Sequence, residues 1–356
     1  MRIGRVVGDI AMMITLFGLL AVPAFSKSDL FDKAFDSAFN RAFATAWERV
    51  FGGEPDGEKS NRFEQVFKEA FESSFSADES TVDDGLWNRR AVRDQNDEWV
   101  DEFVYEASAD DLSEIALRTV NGNVVVTGSD ENRVRIVVTR RVRATDPVRG
   151  RAYKERIRPE LKRERSSLTV EWRSPEDQWP RILKDVTMVY DAVVPSRVEV
   201  EATSVNGNVL ATNAGKRVVL TTVNGNATLD SNVDSVDGVT AKTVNGNIGV
   251  DVRNLSPRAR FETVNGNVEL AMTDGFDADL AANTVNGNID VLVPTDSRFE
   301  LTANVGMHGT IRTDWGSPQS EKRFGTSYNV AVNGGGQTLK LNTLNGIIRV
   351  RKVGHI

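Results

Sequence analysis

The side chains of this 356-residue chain that could carry chemistry are its carboxylates, its repeated amides and two histidines. Asp230 and Asp251 stand 21 residues apart, and so do Glu269 and Asp290. Two carboxylates converging on a groove are the equipment of a glycoside hydrolase, one as acid and the other as base or nucleophile. Such a site also needs basic or aromatic groups to grip a sugar, and the neighbouring positions offer none. Exposed strand positions carry Asp and Glu for solubility alone, so these four read as surface. His308 and His355 belong to no Ser-His-Asp arrangement, and no phosphate-cradling loop, dinucleotide fingerprint or calcium-repeat motif occurs. Without cysteine there can be no disulfide, no thiolate zinc site and no lipid-anchoring cysteine. The expectation is a protein with no catalytic residue, no cofactor and no metal.

The amides are different, because they recur. Val-Asn-Gly-Asn occurs six times, with motif pairs Asn121-Gly122, Asn206-Gly207, Asn224-Gly225, Asn245-Gly246, Asn265-Gly266 and Asn286-Gly287. A seventh, altered copy carries Asn345-Gly346. Between Asn206 and Asn286 the step is 18 to 21 residues, the period of a stacked repeat. Numbered from the motif asparagine, −6 and −4 are apolar and −2 is always Thr or Ser. After the motif, +3 and +5 are small or apolar, while +4 and +6 are mostly polar. This is period-two alternation, so both flanks are half-buried strands. Asn-Gly between them is expected to supply the positive φ of a tight turn. Two folds fit. In a β-solenoid each strand pairs with its copy in the next rung of about 20 residues; in stacked β-hairpins −2 pairs with +3 across the tip. Stacking puts like above like, which accounts for the fidelity of the copies, so the solenoid is preferred. The asparagines are then turn-formers that satisfy the backbone and one another, in preference to a row of glycan-binding amides.

These residues resemble an adhesin-like bacterial family of β-strand repeats, the domain of unknown function 4097 family. The likeness runs from about Glu98 to Val353. It rests on the Thr-Val-Asn-Gly-Asn copies, the opening from Ile115 to Gly128, the link from Tyr190 to Pro195 and the closing stretch from Gly334 to Gly346. The resemblance implies an exported β-solenoid at the cell envelope, with no established activity and no catalytic residues.

The rest of the chain must present or anchor this array. Residues 1–26 read as a signal peptide: Arg2 and Arg5, an apolar run from Ile10 to Val22, then Ala24 and Ser26 before a cleavage site. Residues 27–76 form a Phe-rich element in which Phe31, Phe35, Phe39, Phe43 and Trp47, then Phe63, Phe67 and Phe71, recur every fourth residue. That spacing lays slanting aromatic ridges on two helices, expected as a helical hairpin that packs on the β domain or on a partner. Residues 77–97 read as a polar linker with Trp87 and Trp99 tacking down its ends. Residues 98–195 begin the β domain, and Arg149 to Arg165 is expected as a loop or short helix interrupted by Pro159. Residues 196–356 are the regular rungs, closed by a final one from Leu339 to Val350.

The net charge of −7 argues against nucleic acid as a partner. It is unevenly spread. Residues 133–165 hold thirteen Lys or Arg against four Asp or Glu, and residues 28–118 hold ten against twenty-three. The acidic stretch is expected to dock on the basic one, in the same chain or a neighbour. Alternatively Arg140, Arg141 and Arg143 offer a patch for an anionic envelope ligand. The sequence thus predicts a non-catalytic, exported binding or scaffolding module whose ligand at the envelope or surface is unknown. It leaves open a polysaccharide-active enzyme, and self-association through residues 28–80.

Overall fold

The computed structural model describes residues 86–95, 98–144, 146–173, 185–306, 309–316, 321–322 and 325–353. The signal segment, the Phe rows and both histidines lie outside the described residues. What is described is mainly β, with two twelve-stranded sheets and one helix among the described residues.

The chain opens with β1 (Asn88–Gln95) and β2 (Glu98–Ser108), an antiparallel pair. Residues 88–95, expected as linker, are therefore a strand. Trp87 packs edge-on against Phe103 and Tyr105, and Trp99 is buried. The first repeat is β3 (Glu114–Asn121) and β4 (Val124–Ser129). The chain then leaves the array through β5 (Arg133–Arg143), α1 (Pro147–Arg156), β6 (Arg158–Arg163), β7 (Ser167–Arg173) and β8 (Val186–Pro195). Pro159 does not interrupt a helix. It sits in β6, an edge strand, where its missing N–H costs no ladder bond on the open side. The regular copies follow: β9 (Glu199–Asn206) with β10 (Val209–Thr212), β11 (Val218–Asn224) with β12 (Ala227–Ser231), and β13 (Val236–Asn245) with β14 (Ile248–Val252). After them come β15 (Leu255–Asn265) with β16 (Val268–Met272) and β17 (Asp279–Asn286) with β18 (Ile289–Pro294). A second excursion contains β19 (Phe299–Val305), β20 (Thr310–Thr313), β21 (Glu321–Lys322) and β22 (Gly325–Val332). β23 (Gln337–Asn345) and β24 (Ile347–Val353) close the chain.

The two strands of a repeat lie in different sheets, which removes the stacked-hairpin alternative for the repeats. Each strand pairs in parallel with its copy. Val218 lies against Val200 on one side and Val239 on the other, and Asn224 lies between Asn206 and Asn245. Both sheets turn their −6, −4, +3 and +5 positions inward, where Ile115, Leu117, Val124 and Val126 have no exposure. Inward positions are apolar because both sheets bury that face against each other.

The order of rungs in space differs from their order in sequence. β23 lies between β17 and β19, and β24 between β18 and β20. The last rung of the sequence is therefore inserted before the end of the stack and does not form its cap. Asn286 and Asn345, 59 residues apart in the sequence, are direct neighbours. The N-terminal end does the same: β3 lies between β7 and β9, and β4 between β8 and β10.

Candidate binding surface

The motif builds one corner of every repeat, and its three polar positions do three different jobs. The motif asparagines form a column. Asn206 donates from Nδ2 to Oδ1 of Asn121, Asn224 to Asn206, Asn245 to Asn224, and so on to Asn345, at 2.8–2.9 Å throughout. At +2, the Oδ1 of Asn123 accepts from the backbone N–H of Asn208, and the same bond repeats up to Asn288 and Ile347. At −2, Thr222, Thr243, Thr263, Thr284 and Thr343 donate from Oγ1 to the carbonyl of the glycine in the rung below. These bonds satisfy backbone groups that a tight corner would otherwise leave open.

The glycine is required for a reason the sequence did not give. Of the motif glycines only Gly122 has a positive φ, at 142°. The others are needed because the next rung stands so close. A Cβ on Gly246 would lie 1.8 Å from the carbonyl oxygen of Gly225, and one on Gly266 would lie 1.9 Å from that of Gly246. Positive φ is found instead at Asn333, Gly334 and Gly335, where β22 turns into β23. A further amide column, from Asn283 to Asn342 to Asn304, runs on the outer face one strand residue earlier than the Thr row. Its members stand out of order in the sequence, so no sequence period marks them.

The carboxylates do lie in register. Asp230 pairs with Asp251, and Glu269 with Asp290. Asp230, Asp251 and Glu269 are exposed, and Asp290 accepts from Arg349 at 3.0 Å. Among the described residues no group of three or more His, Cys, Asp or Glu is arranged to hold a metal.

The basic segment divides. Arg140 has no exposure. It is ion-paired to Asp101, also buried, and donates to the carbonyls of Lys154 and Ile157, which ties the end of α1 to β5 and β2. It cannot greet a partner. Burial would raise the Asp101 carboxyl, but the bonds and charges of Arg140 and Arg89 outweigh it and hold the group below its ordinary 3.8. Arg141 and Arg143 point outward and both reach Glu98. Arg135 and Arg133 meet Glu106. The described part of the acidic stretch thus docks on the basic one within the chain, through the antiparallel pairing of β2 with β5. The phenylalanine and tryptophan positions 31, 35, 39, 43, 47, 63, 67 and 71 lie outside the described residues.

No family model matches the chain, and no curated protein matches it. Among solved structures, it is similar to a candidate adhesin from Bacteroides fragilis at 12% identity, with a TM-score of 0.39, covering 71% of this chain and 97% of the other. It is similar to a candidate lipid-binding protein from Parabacteroides distasonis at 14% identity, with a TM-score of 0.36 and the same two coverages. A candidate cell adhesion protein from Clostridium sporogenes is 9% identical, with a TM-score of 0.30, covering 71% and 99%.

Proposed function

We propose that the chain is an exported β-solenoid that works as a binding or scaffolding module of the cell envelope and carries out no reaction. One observation supports this reading above the others. The repeated polar side chains at −2, 0 and +2 are engaged in holding one rung to the next, at nearly constant distances over the whole stack. The sequence is invested in a stiff rod with long, regular outer faces, and a rod presents surface. Export rests on the signal-like residues 1–26, and the envelope on the family resemblance.

Crosslinking in intact cells tests the proposal. The full chain should capture a specific partner, whether polymer or protein, and should release no product from envelope material. Deleting residues 28–80 separates the contribution of the Phe-rich element; an unchanged sedimentation profile after that deletion would remove self-association from consideration. The Asp230–Asp251 pairing gives the enzyme reading its one support. If envelope polysaccharide is cleaved and Asp230→Ala abolishes the cleavage, the scaffold reading is wrong.

A further inference from the structure

The asparagines at +2 differ from those of the motif column in one respect. Each spends its Oδ1 on the backbone N–H of the rung above, which fixes the orientation of the amide. Its Nδ2 must then point away from that bond, and among the described residues it makes no hydrogen bond. Asn123, Asn208, Asn226 and Asn247 are exposed, and Asn267 and Asn288 are half-buried. The result is a comb of six outward amide donors, one per rung, at a pitch of about 4.8 Å. The comb is in line because parallel pairing puts position +2 of one repeat above position +2 of the next.

The chemistry around the comb narrows what would lie on it. From −1 to +2 the six complete copies read Val-Asn-Gly-Asn, so the corner carries no formal charge over its whole length. An anionic polymer would need Lys or Arg there. A single-stranded nucleic acid would need them too, together with aromatic platforms. An extended peptide presents carbonyls along one edge only at every second residue, about 6.8 Å apart, with N–H groups between them that the comb cannot accept. A linear glycan is the better match. Each sugar contributes a ring oxygen and a bridging oxygen, which accept and cannot donate, and each residue of an extended chain is about as long as the space between strands. Of the valines at −1, Val205, Val223 and Val285 remain partly exposed and offer apolar surface to the C–H faces of sugar rings, while Val120, Val244 and Val264 are buried.

We propose that the +2 asparagine comb is a binding track for an extended, uncharged polysaccharide lying along the stack axis. This deepens the binding-module reading and rests on it.

The test uses the full mature chain in native gels cast with soluble neutral glucans, hydroxyethylcellulose and dextran, or with alginate as the anionic control. The expected result is retardation by a neutral glucan that added salt does not weaken, and none by alginate. The double variant Asn226→Asp with Asn267→Asp keeps each Oδ1 and turns the outward donor into an acceptor. It should bind roughly tenfold more weakly, as loss of two neutral hydrogen bonds implies, while its melting temperature stays near that of the parent. Asn226→Ala with Asn267→Ala, measured well below its melting temperature, should show the same loss of affinity. A purely structural asparagine would lower stability in the alanine variant and leave the affinity of the folded protein unchanged. Unaltered binding in both variants, retardation by alginate alone, or no retardation by either glucan would overturn the track. Failure here leaves the crosslinking result standing, because a partner could use another face.

Discussion

At the scale of single residues, the repeat is governed by what fits between rungs about 4.8 Å apart. The motif glycine is the clearest case. Gly246→Ala drives a Cβ against the Gly225 carbonyl, and backbone must move. The expected cost is roughly 3 kcal/mol or more in urea unfolding, the range of severe overpacking. Gly249→Ala is the contrast: its nearest neighbour would be a Thr228 methyl at 3.9 Å. It should leave stability unchanged or raise it by up to about 1 kcal/mol, since alanine restricts the unfolded chain. Equal effects from the two would mean that close approach is not the reason for the motif glycine.

Arg140 and Asp101 make the other residue-level case. Arg140→Ala would strand a buried carboxylate and should cost about 3–5 kcal/mol. The Asp101 carboxyl titrates below its ordinary value in the folded protein. Its contribution to stability is therefore complete above the unfolded value and is lost as pH falls through the folded one. The stability gap between the parent and Asp101→Asn should shrink as the solution is acidified below about pH 4. A gap that stays constant down to about pH 2 would contradict this.

At the scale of elements, the inward −4 row explains how strands choose neighbours. In spatial order it reads Leu117, Ala202, Leu220, Ala241, Phe261, Ala282, Leu341, Ala303. Large and small alternate without a break, and all eight have no exposure. A large side chain spreads over the alanine of the next rung, which is how a close-packed interior fills space when strand spacing is fixed. Read in sequence order the pattern fails, because Ala282 is followed by Ala303. Inserting β23 between them restores it. Packing thus selects the inserted position for the last rung. Phe261→Ala should cost about 3–5 kcal/mol through the cavity it leaves. Ala282→Leu, which sets three large side chains in succession, should cost about 1–3 kcal/mol. Thermal or urea unfolding checks both, and an Ala282→Leu protein as stable as the parent would remove the alternation from the account.

At the scale of the whole molecule, the question is how a stack of parallel strands stops. An open edge invites another chain. Here the chain leaves the array near each end, builds what lies beyond it and returns, so each excursion encloses a regular rung. The four outermost strands are poor templates. β1 carries Arg89 and Arg90 and is broken by a bulge, and β6 contains Pro159 together with Arg158, Lys162 and Arg163. β20 has four residues and β21 two. A chain ending at residue 336 would lack β23 and β24 and would have to seat Ala303 on Ala282, small upon small. It should melt at lower temperature and elute from a sizing column partly as aggregate. A monodisperse truncated protein with the parent's melting temperature would show that the inserted rung is dispensable.

The sequence by itself determined the repeat, its period, the inward and outward positions and the register of the corners, because each of these is set by neighbours within about twenty residues or by copies of them. Between Arg149 and Arg165 less was legible: α1 fits the expected short helix, but β6 was not foreseen, because Pro159 argues against a strand unless that strand lies at an edge. Tertiary structure alone decided three things. It placed the last rung inside the stack, because cavity filling between Ala282 and Ala303 acts between residues far apart in the chain. It buried Arg140, which looked like its exposed neighbours Arg141 and Arg143, because α1 and β2 close over that one position. It also changed the reason for the motif glycine from backbone rotation to the nearness of the carbonyl below, since only stacking brings that oxygen within reach.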